Sequence, residues 1–134
     1  MIRFFCWLLA LSFNASASDF HATRRMPAPE AHQAAAAQGK FVYAITSRAV
    51  AKYDRQSGKR VATSVGAAKH LNSGFFWKGK LLCAHSNYPL KPERSEIKVL
   101  DTDSMKLTTF KDFGNAGGSL TWALHKDGFW WCNF

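Results

Sequence analysis

The sequence predicts an all-β protein made of short antiparallel strands, and two observations support this prediction. Short runs rich in β-branched and aromatic residues alternate with turn signals such as DRQSG and KDG. Three stretches of sequence also recur at spacings of 40 to 49 residues, which is typical of proteins built from repeated units. With 134 residues, 47% of them hydrophobic and 20% charged, the chain has the composition of one globular domain.

The first seventeen residues have the pattern of a secretory signal peptide. Arg3 supplies a positive charge, residues 4–13 form an uncharged apolar run, and Ala15 and Ala17 give the small-residue exit that a signal peptidase accepts. The apolar run is too short for a membrane helix, which needs about 20 residues. We therefore expect cleavage before Ser18, a secreted or periplasmic protein, and no membrane span after cleavage. The alternative, a buried N-terminal helix, leaves the charged start and the small-residue exit unexplained.

Residues 18–38 are predicted to be a Pro/Ala-rich tether. Pro27 and Pro29 disfavour regular structure before them, and the alanines at 34–37 suggest a short helix. The folded part is then expected to cover residues 39–134.

The sequence begins to repeat itself at Gly39. GKFVYA at 39–44 resembles GKLLCA at 79–84, and DGFWWC at 127–132 is a third copy. Each copy places a glycine-containing turn before an apolar run, which is typical of a β-hairpin.

Two further elements recur, and their two spacings nearly agree with each other. YDRQSGK at 53–59 matches LDTDSMK at 100–106, 47 residues later, and VGAA at 65–68 matches FGNA at 113–116, 48 residues later. Agreement between separate elements indicates one repeated structural unit.

Each unit is predicted to hold four short antiparallel strands in about 45 residues, the size of one β-propeller blade. The predicted strands are 41–46, 49–54, 59–64, 73–77, 80–86, 96–101, 106–112, 120–125 and 129–134. This predicts an incomplete β-propeller of about two and a half blades. Because propellers close with four to eight blades, we expect the chain to be an N-terminal fragment, or its copies to assemble. A compact β-sandwich is the alternative, but it does not explain the recurring spacings.

The repeated unit resembles those of secreted bacterial β-propellers of the quinoprotein-like, YVTN-type and lactonase-like groups. The resemblance covers residues 39–134 and is carried by HLNSGFFWKGKLLCAHSNYPLKPERSEIKVLD and by GGSLTW followed by WWCNF. It implies an exported propeller domain that binds a ligand or a protein partner. The alternative that it implies is a metal-dependent enzyme of the lactonase or cyclase type, with its site at the channel mouth. The tryptophan-docking repeat of quinoprotein dehydrogenases is absent from the sequence, and no catalytic residues are predicted.

Candidate ligand-binding residues lie where loops of successive blades would meet. They are His70, Asn72, Ser73, His85 and Asn87. An insertion at 88–94 lengthens the loop after the last of them, and such insertions often carry specificity.

His70, His85 and Glu96 are the candidate ligands of a divalent metal, with Glu93 as another possible carboxylate. The alternative is that both histidines only make structural hydrogen bonds. An acid/base pair of Glu93 and Glu96 is not favoured, because Arg94 and nearby lysines would keep both ionised.

The formal net charge of +9 is spread along the chain rather than gathered in one run. This argues against nucleic acid as the partner, and leaves a small molecule, a glycan or an envelope protein.

Cys83 and Cys132 follow their glycines at equal spacing and are expected at equivalent strand positions. Buried free thiols and a bridge between blades both remain open. The tryptophans are expected to pack between blades, with a carbohydrate or aromatic-ligand platform as the alternative. They are Trp77, Trp122, Trp130 and Trp131.

Overall fold

A computed structural model describes residues 21–134, and those residues contain strands and turns but no helix. The predicted signal peptide and its cleavage site lie outside the described residues. The strands are β1 Ala34–Gln38, β2 Phe41–Ile45, β3 Val50–Asp54, β4 Arg60–Thr63, β5 His70–Trp77, β6 Lys80–Ser86, β7 Ser95–Leu100, β8 Leu107–Gly114, β9 Trp122–Lys126 and β10 Phe129–Asn133. The prediction of an all-β fold with short antiparallel strands is confirmed.

The strands form three separate sheets. The first has the order β1-β2-β3-β4, the second has the order β5-β6-β7-β8, and β9 and β10 form a hairpin. Strands that follow each other in the chain pair antiparallel within each sheet, so both larger sheets are simple meanders. In the described residues no sheet closes on itself.

The helix expected over residues 34–37 is wrong. These alanines form β1, which pairs along its whole length with β2 and lies inside the range predicted as a tether. Gly39, with a φ of 55°, starts the two-residue turn that brings β1 back against β2. Pairing with a sheet and burial of Ala34 and Ala36 against its core outweigh the helix propensity of alanine.

Every other predicted strand overlaps one observed strand, and the differences lie at the ends. The largest is in β5, which begins at His70 rather than Ser73. The two DxxS turns also have the same hydrogen bonds. Asp54 Oδ1 accepts from the Ser57 amide at 2.7 Å, and Asp101 Oδ1 accepts from the Ser104 amide at 2.9 Å.

The strand register shows which residues of the three hairpins are equivalent. The pairs that close the turns are Gln38 with Phe41, Trp77 with Lys80, and Lys126 with Phe129. The glycine is therefore the first turn residue in the first hairpin and the second turn residue in the other two. An alignment of the repeats on their glycines therefore places the first sheet one residue out of register with the other two. Such a shift assigns each side chain of that sheet to the wrong face.

Two apolar layers hold the sheets together. Tyr43 and Ile45 of the first sheet pack against Leu71 and Leu81 of the second sheet. Gly74 permits this contact, because a Cβ there would lie 2.4 Å from Ile45 Cδ1.

The second layer lies between the other face of the second sheet and the β9–β10 hairpin. Leu82, Ala84 and Ile97 pack there with Leu120 and Ala123. The second sheet is therefore covered on both faces, at least in part.

Candidate functional site

Three ionisable side chains lie together on the face of the second sheet that is turned towards the first sheet. His85 of β6 pairs directly with Glu96 of β7, and Lys98 lies two residues further along β7 on the same face. His85 is 7% exposed and Lys98 is 9% exposed. The side chains of His85, Glu96 and Lys98 form one wall of an open depression of about 360 Å³, and the connection between β4 and β5 forms the other wall. Its lining residues are Ala67, Ala68, Lys69, His85, Glu96 and Lys98.

Hydrogen bonds determine the protonation of the imidazole. The backbone amide of Lys69 donates to His85 Nε2 at 2.9 Å, so Nε2 carries no proton. The proton of the neutral ring is therefore on Nδ1, which lies 3.3 Å from Oε2 of Glu96. Neither Nδ1 nor this Oε2 has a partner in hydrogen-bond geometry among the described residues.

Lys98 balances the charge of Glu96. Its Nζ lies 2.6 Å from Glu96 Oε2 and donates to Thr109 Oγ1 at 2.9 Å. An ammonium group has three donors, so at least one donor of Lys98 is not used by these two contacts.

Burial lowers the pKa of His85 from 6.5 to about 4, and the positive charge of Lys98 adds to this effect. The carboxylate of Glu96 acts in the opposite direction but does not outweigh them. A neutral His85 at pH 7 agrees with the amide of Lys69 donating to its ring.

The other predicted site residues do not join this group. His70 pairs with Ser86, whereas His85 pairs with Leu71, so the two imidazoles project from opposite faces of the sheet. The ring of His70 lies 5.2 Å from that of Tyr88, measured between centroids.

The candidate metal ligands His70, His85 and Glu96 therefore do not converge. Within the described part of the chain, no group of three or more His, Cys, Asp or Glu side chains is placed to hold a metal ion. Glu93 lies in the loop, where Lys91 Nζ contacts its Oε1 at 2.5 Å.

Asn72 and Ser73 lie in β5 near the third sheet. Asn72 Nδ2 donates to the carbonyl of Leu120 at 2.8 Å and so connects β5 to the segment before β9. Ser73 Oγ is buried and has no hydrogen-bond partner among the described residues.

Asn87 holds the ends of the inserted loop together. Its side-chain oxygen accepts from the Arg94 amide at 2.8 Å, and its Nδ2 donates to the carbonyl of Pro92 at 2.9 Å. These bonds give Asn87 a structural part in the loop.

Lys98 is the residue of the candidate site that the sequence did not reveal. The available signal was a lysine between two apolar residues in SEIKVL, on a strand predicted to be paired on both sides. A lysine in a strand usually lies on the solvent face, so this signal gains meaning only when the packing of that face is known.

Cys83 and Cys132 are both free, and Cys83 is buried. Burial raises the pKa of the Cys83 thiol to about 12. Trp77 and Trp130 pack against each other between the second sheet and the hairpin, with ring centroids 5.3 Å apart, although Trp130 keeps 37% of its surface exposed. Trp122 and Trp131 are also exposed.

Among residues 21–134, no helix has the length and apolar character needed to cross a membrane.

Comparison with known proteins does not give a family. No family model matches the chain, and no curated protein matches it. One solved structure with some likeness is that of the computationally designed Ika4 protein, with 12% sequence identity and a TM-score of 0.46. The alignment covers 79% of this chain and 86% of the designed chain. At this level the likeness carries no argument about function.

Proposed function

We propose that this protein is an exported β-propeller domain that binds a small molecule, a glycan or an envelope protein at the depression formed by His85, Glu96 and Lys98. The arrangement of the sheets supports the propeller part of the proposal. Two four-stranded meanders and a hairpin follow each other, and their first strands are neighbours, since β1 contacts β5 and β5 contacts β9. Inner strands of adjacent blades are arranged in this way around a propeller axis.

One observation supports the binding part of the proposal: three ionisable residues, of which His85 and Lys98 are buried and Glu96 is partly buried, stand at positions where the first sheet has small uncharged residues. By strand register, His85 and Glu96 correspond to Thr46 and Ala49. Lys98, which pairs with Cys83, corresponds in the same way to Ala51, which pairs with Ala44.

The first sheet thus forms the same strand order without these ionisable groups. Burying charged groups is costly even when they are paired, and such groups in a depression are often functional.

The chemistry of the depression favours a polar ligand of modest size. Its volume of about 360 Å³ lies in the range of small-molecule sites. Lys98 has an unused donor, Glu96 offers carboxylate oxygens, and Lys69 adds an exposed positive charge at the rim. A sugar ring or a hydroxy acid presents the matching hydroxyl and carboxylate groups.

Replacing both charged residues tests the proposal. We expect Glu96→Ala combined with Lys98→Ala to fold, because alanine occupies both equivalent positions of the first sheet. Glu96→Ala alone leaves the buried Lys98 unpaired and should lower the free energy of unfolding by about 1–3 kcal/mol. Chemical denaturation of the single and double variants measures this difference.

Ligand binding is measured with a panel of neutral sugars, uronic acids and hydroxy acids, together with compounds that co-purify with the exported protein. A compound that binds the native state raises the thermal midpoint. We expect such a shift in the parent and in Lys52→Ala, a control lysine of the first sheet outside the depression, but not in the double variant. Equal shifts in the double variant would show that the depression is not the binding site, and no shift with any compound would contradict binding of a small molecule or glycan there.

Export is tested separately. Edman sequencing of the protein recovered from the cell envelope or the medium should begin at Ser18. A cytoplasmic product that retains Met1 would contradict export but would leave the binding proposal intact.

A further inference from the structure

The outward face of the β9–β10 hairpin carries a group of large exposed apolar side chains. Trp131 pairs with Leu124, and Asn133 pairs with Trp122, so these side chains share one face together with Phe129. The four apolar side chains on this face are all exposed: Trp122, Leu124, Phe129 and Trp131. The inward face of the hairpin, by contrast, packs Ala123 and Cys132 on the second sheet, and Ala123 is 3% exposed.

Equivalent positions in the other two sheets are buried by a neighbouring sheet. By register from the hairpin turns, Trp131 corresponds to Leu82 and to Tyr43. Tyr43 is 2% exposed under the second sheet and Leu82 is 1% exposed under the hairpin, whereas Trp131 is 55% exposed. The outward face of the hairpin is therefore of the kind that another sheet covers in this molecule.

The first sheet has the complementary kind of face on its far side. Ala35 pairs with Ala44, and Ala44 pairs with Ala51, so this face is lined with small side chains. The same positions of the second sheet receive the side chains of the preceding sheet. No sheet covers this face of the first sheet in the described part of the chain.

A segment outside the strands, residues 24–30, lies over this alanine-lined face instead. We call it the strap. Met26 and Ala28 pack on Ala44, Ala51 and Tyr53.

Polar contacts hold the strap at its two ends. Arg24 donates to the carbonyls of Arg55 at 2.6 Å and Gln56 at 2.9 Å, and Glu30 bonds to Tyr53 and Arg60. A depression of about 320 Å³ remains beside the strap, so the strap does not fill the face. The lining residues are Thr23, Arg24, Met26, Ala28, Ala31, Ala35, Val42, Ala44 and Arg55.

We propose that the outward face of the hairpin and the alanine-lined face of the first sheet are the two halves of a head-to-tail interface between copies of this chain. The large side chains of one copy pack on the small side chains of the next, in place of the strap. Large groups opposite small ones allow two sheets to interdigitate. Because the two halves differ, the contact is heterologous and adds copies one after another, either in a ring or in an open chain. This inference does not depend on the ligand-binding proposal.

The test uses the protein purified after export and measures its mass by sedimentation equilibrium over a concentration series. We expect the mass of the parent to rise with concentration above that of one chain. Trp131→Glu breaks the hairpin half and Val42→Glu breaks the alanine-lined half, so each variant alone should stay monomeric. Thr108→Glu makes the same charge change on exposed β8, and this control should associate as the parent does.

Mixing the two interface variants distinguishes a head-to-tail contact from other associations. Each variant keeps one intact half, so an equimolar mixture should form heterodimers and nothing larger. Arg24→Ala, which releases one end of the strap, should shift association to lower concentration. Ala35→Glu serves as the second alanine-face variant if Val42→Glu does not fold, as judged by circular dichroism.

Three results would overturn the proposal. A parent that is monomeric at every concentration shows that copies do not pair. Association of Val42→Glu and Ala35→Glu equal to that of the parent shows that hairpin faces pair with each other or aggregate without order. A mixture that remains monomeric shows that the two faces do not fit.

Discussion

The first and second sheets have the same strand order and the same Asp-x-x-Ser turn, but they differ where β2 meets β3 and β6 meets β7. The first sheet makes this connection with four residues, 46–49, while the second uses eight, 87–94. Thr46 and Ala49 are the first and last residues of the short connection, whereas the residues at the corresponding positions of the second sheet, His85 and Glu96, still pair with each other in β6 and β7. The comparison shows which features accompany the strand order in both sheets and which features only the second sheet has. Turns and apolar strands occur in both sheets, whereas the ionisable group and the long loop occur in only one.

The two sheets also differ in what covers the face that is turned towards the preceding part of the chain. Leu81 of the second sheet is fully buried under the first sheet, and its equivalent Val42 is only partly buried beside the strap. Leu81→Ala should therefore lower the free energy of unfolding by about 2–5 kcal/mol, as large cavities in a core do. Val42→Ala should cost much less, because it removes little buried surface. Urea unfolding of both variants measures the difference, and equal losses would mean that the strap protects its face as well as a sheet does.

The next largest difference between the two sheets is expected in the pH dependence of stability, because only the second sheet contains a buried histidine. The pKa of His85 is about 4 in the folded protein and close to 6.5 when it is unfolded. Between these values the unfolded chain binds a proton that the folded protein does not, so stability falls as the pH falls from about 6.5 to about 4. The loss amounts to at most about 3 kcal/mol.

His85→Gln removes this titration and keeps an acceptor for the Lys69 amide. Its stability should change less than that of the parent across the same pH range, as measured by denaturation at a series of pH values. Parallel curves for the parent and the variant would show that His85 titrates normally in the fold. Gln33→Ala, a change in an exposed residue just before β1, serves as the control and should follow the parent.

The smallest effect is expected where the sheets are alike. Asp54 and Asp101 accept equivalent amide hydrogen bonds, and these bonds lower the pKa of both carboxyl groups. Asp54→Ala and Asp101→Ala should cause small and similar losses of thermal stability. A much larger loss at one of them would show that the two turns contribute differently despite the same hydrogen bonds.

The sequence by itself determined most of the strands and turns. Alternation, β-branched and aromatic residues, and the DRQSG and TDS turns are local signals, and the structure has a strand at each predicted place. The strand at Ala34–Gln38 could not be read locally, since alanine favours helices. The signal that would have found it is the turn at Gly39, because a hairpin turn requires a strand on each side.

Only the tertiary structure decided which face each side chain occupies and which residues meet. His70 and His85 are close in the second sheet, yet the pairing of His70 with Ser86 places the two rings on opposite faces. Register also explains why Lys98 belongs to the candidate site, because it turns this side chain inwards beside Glu96. The physical reason is that side chains alternate along a strand with a period of two. Register depends on pairing between distant segments, so a difference of one residue, as between the glycines of the first two hairpins, reverses every face without changing any local signal.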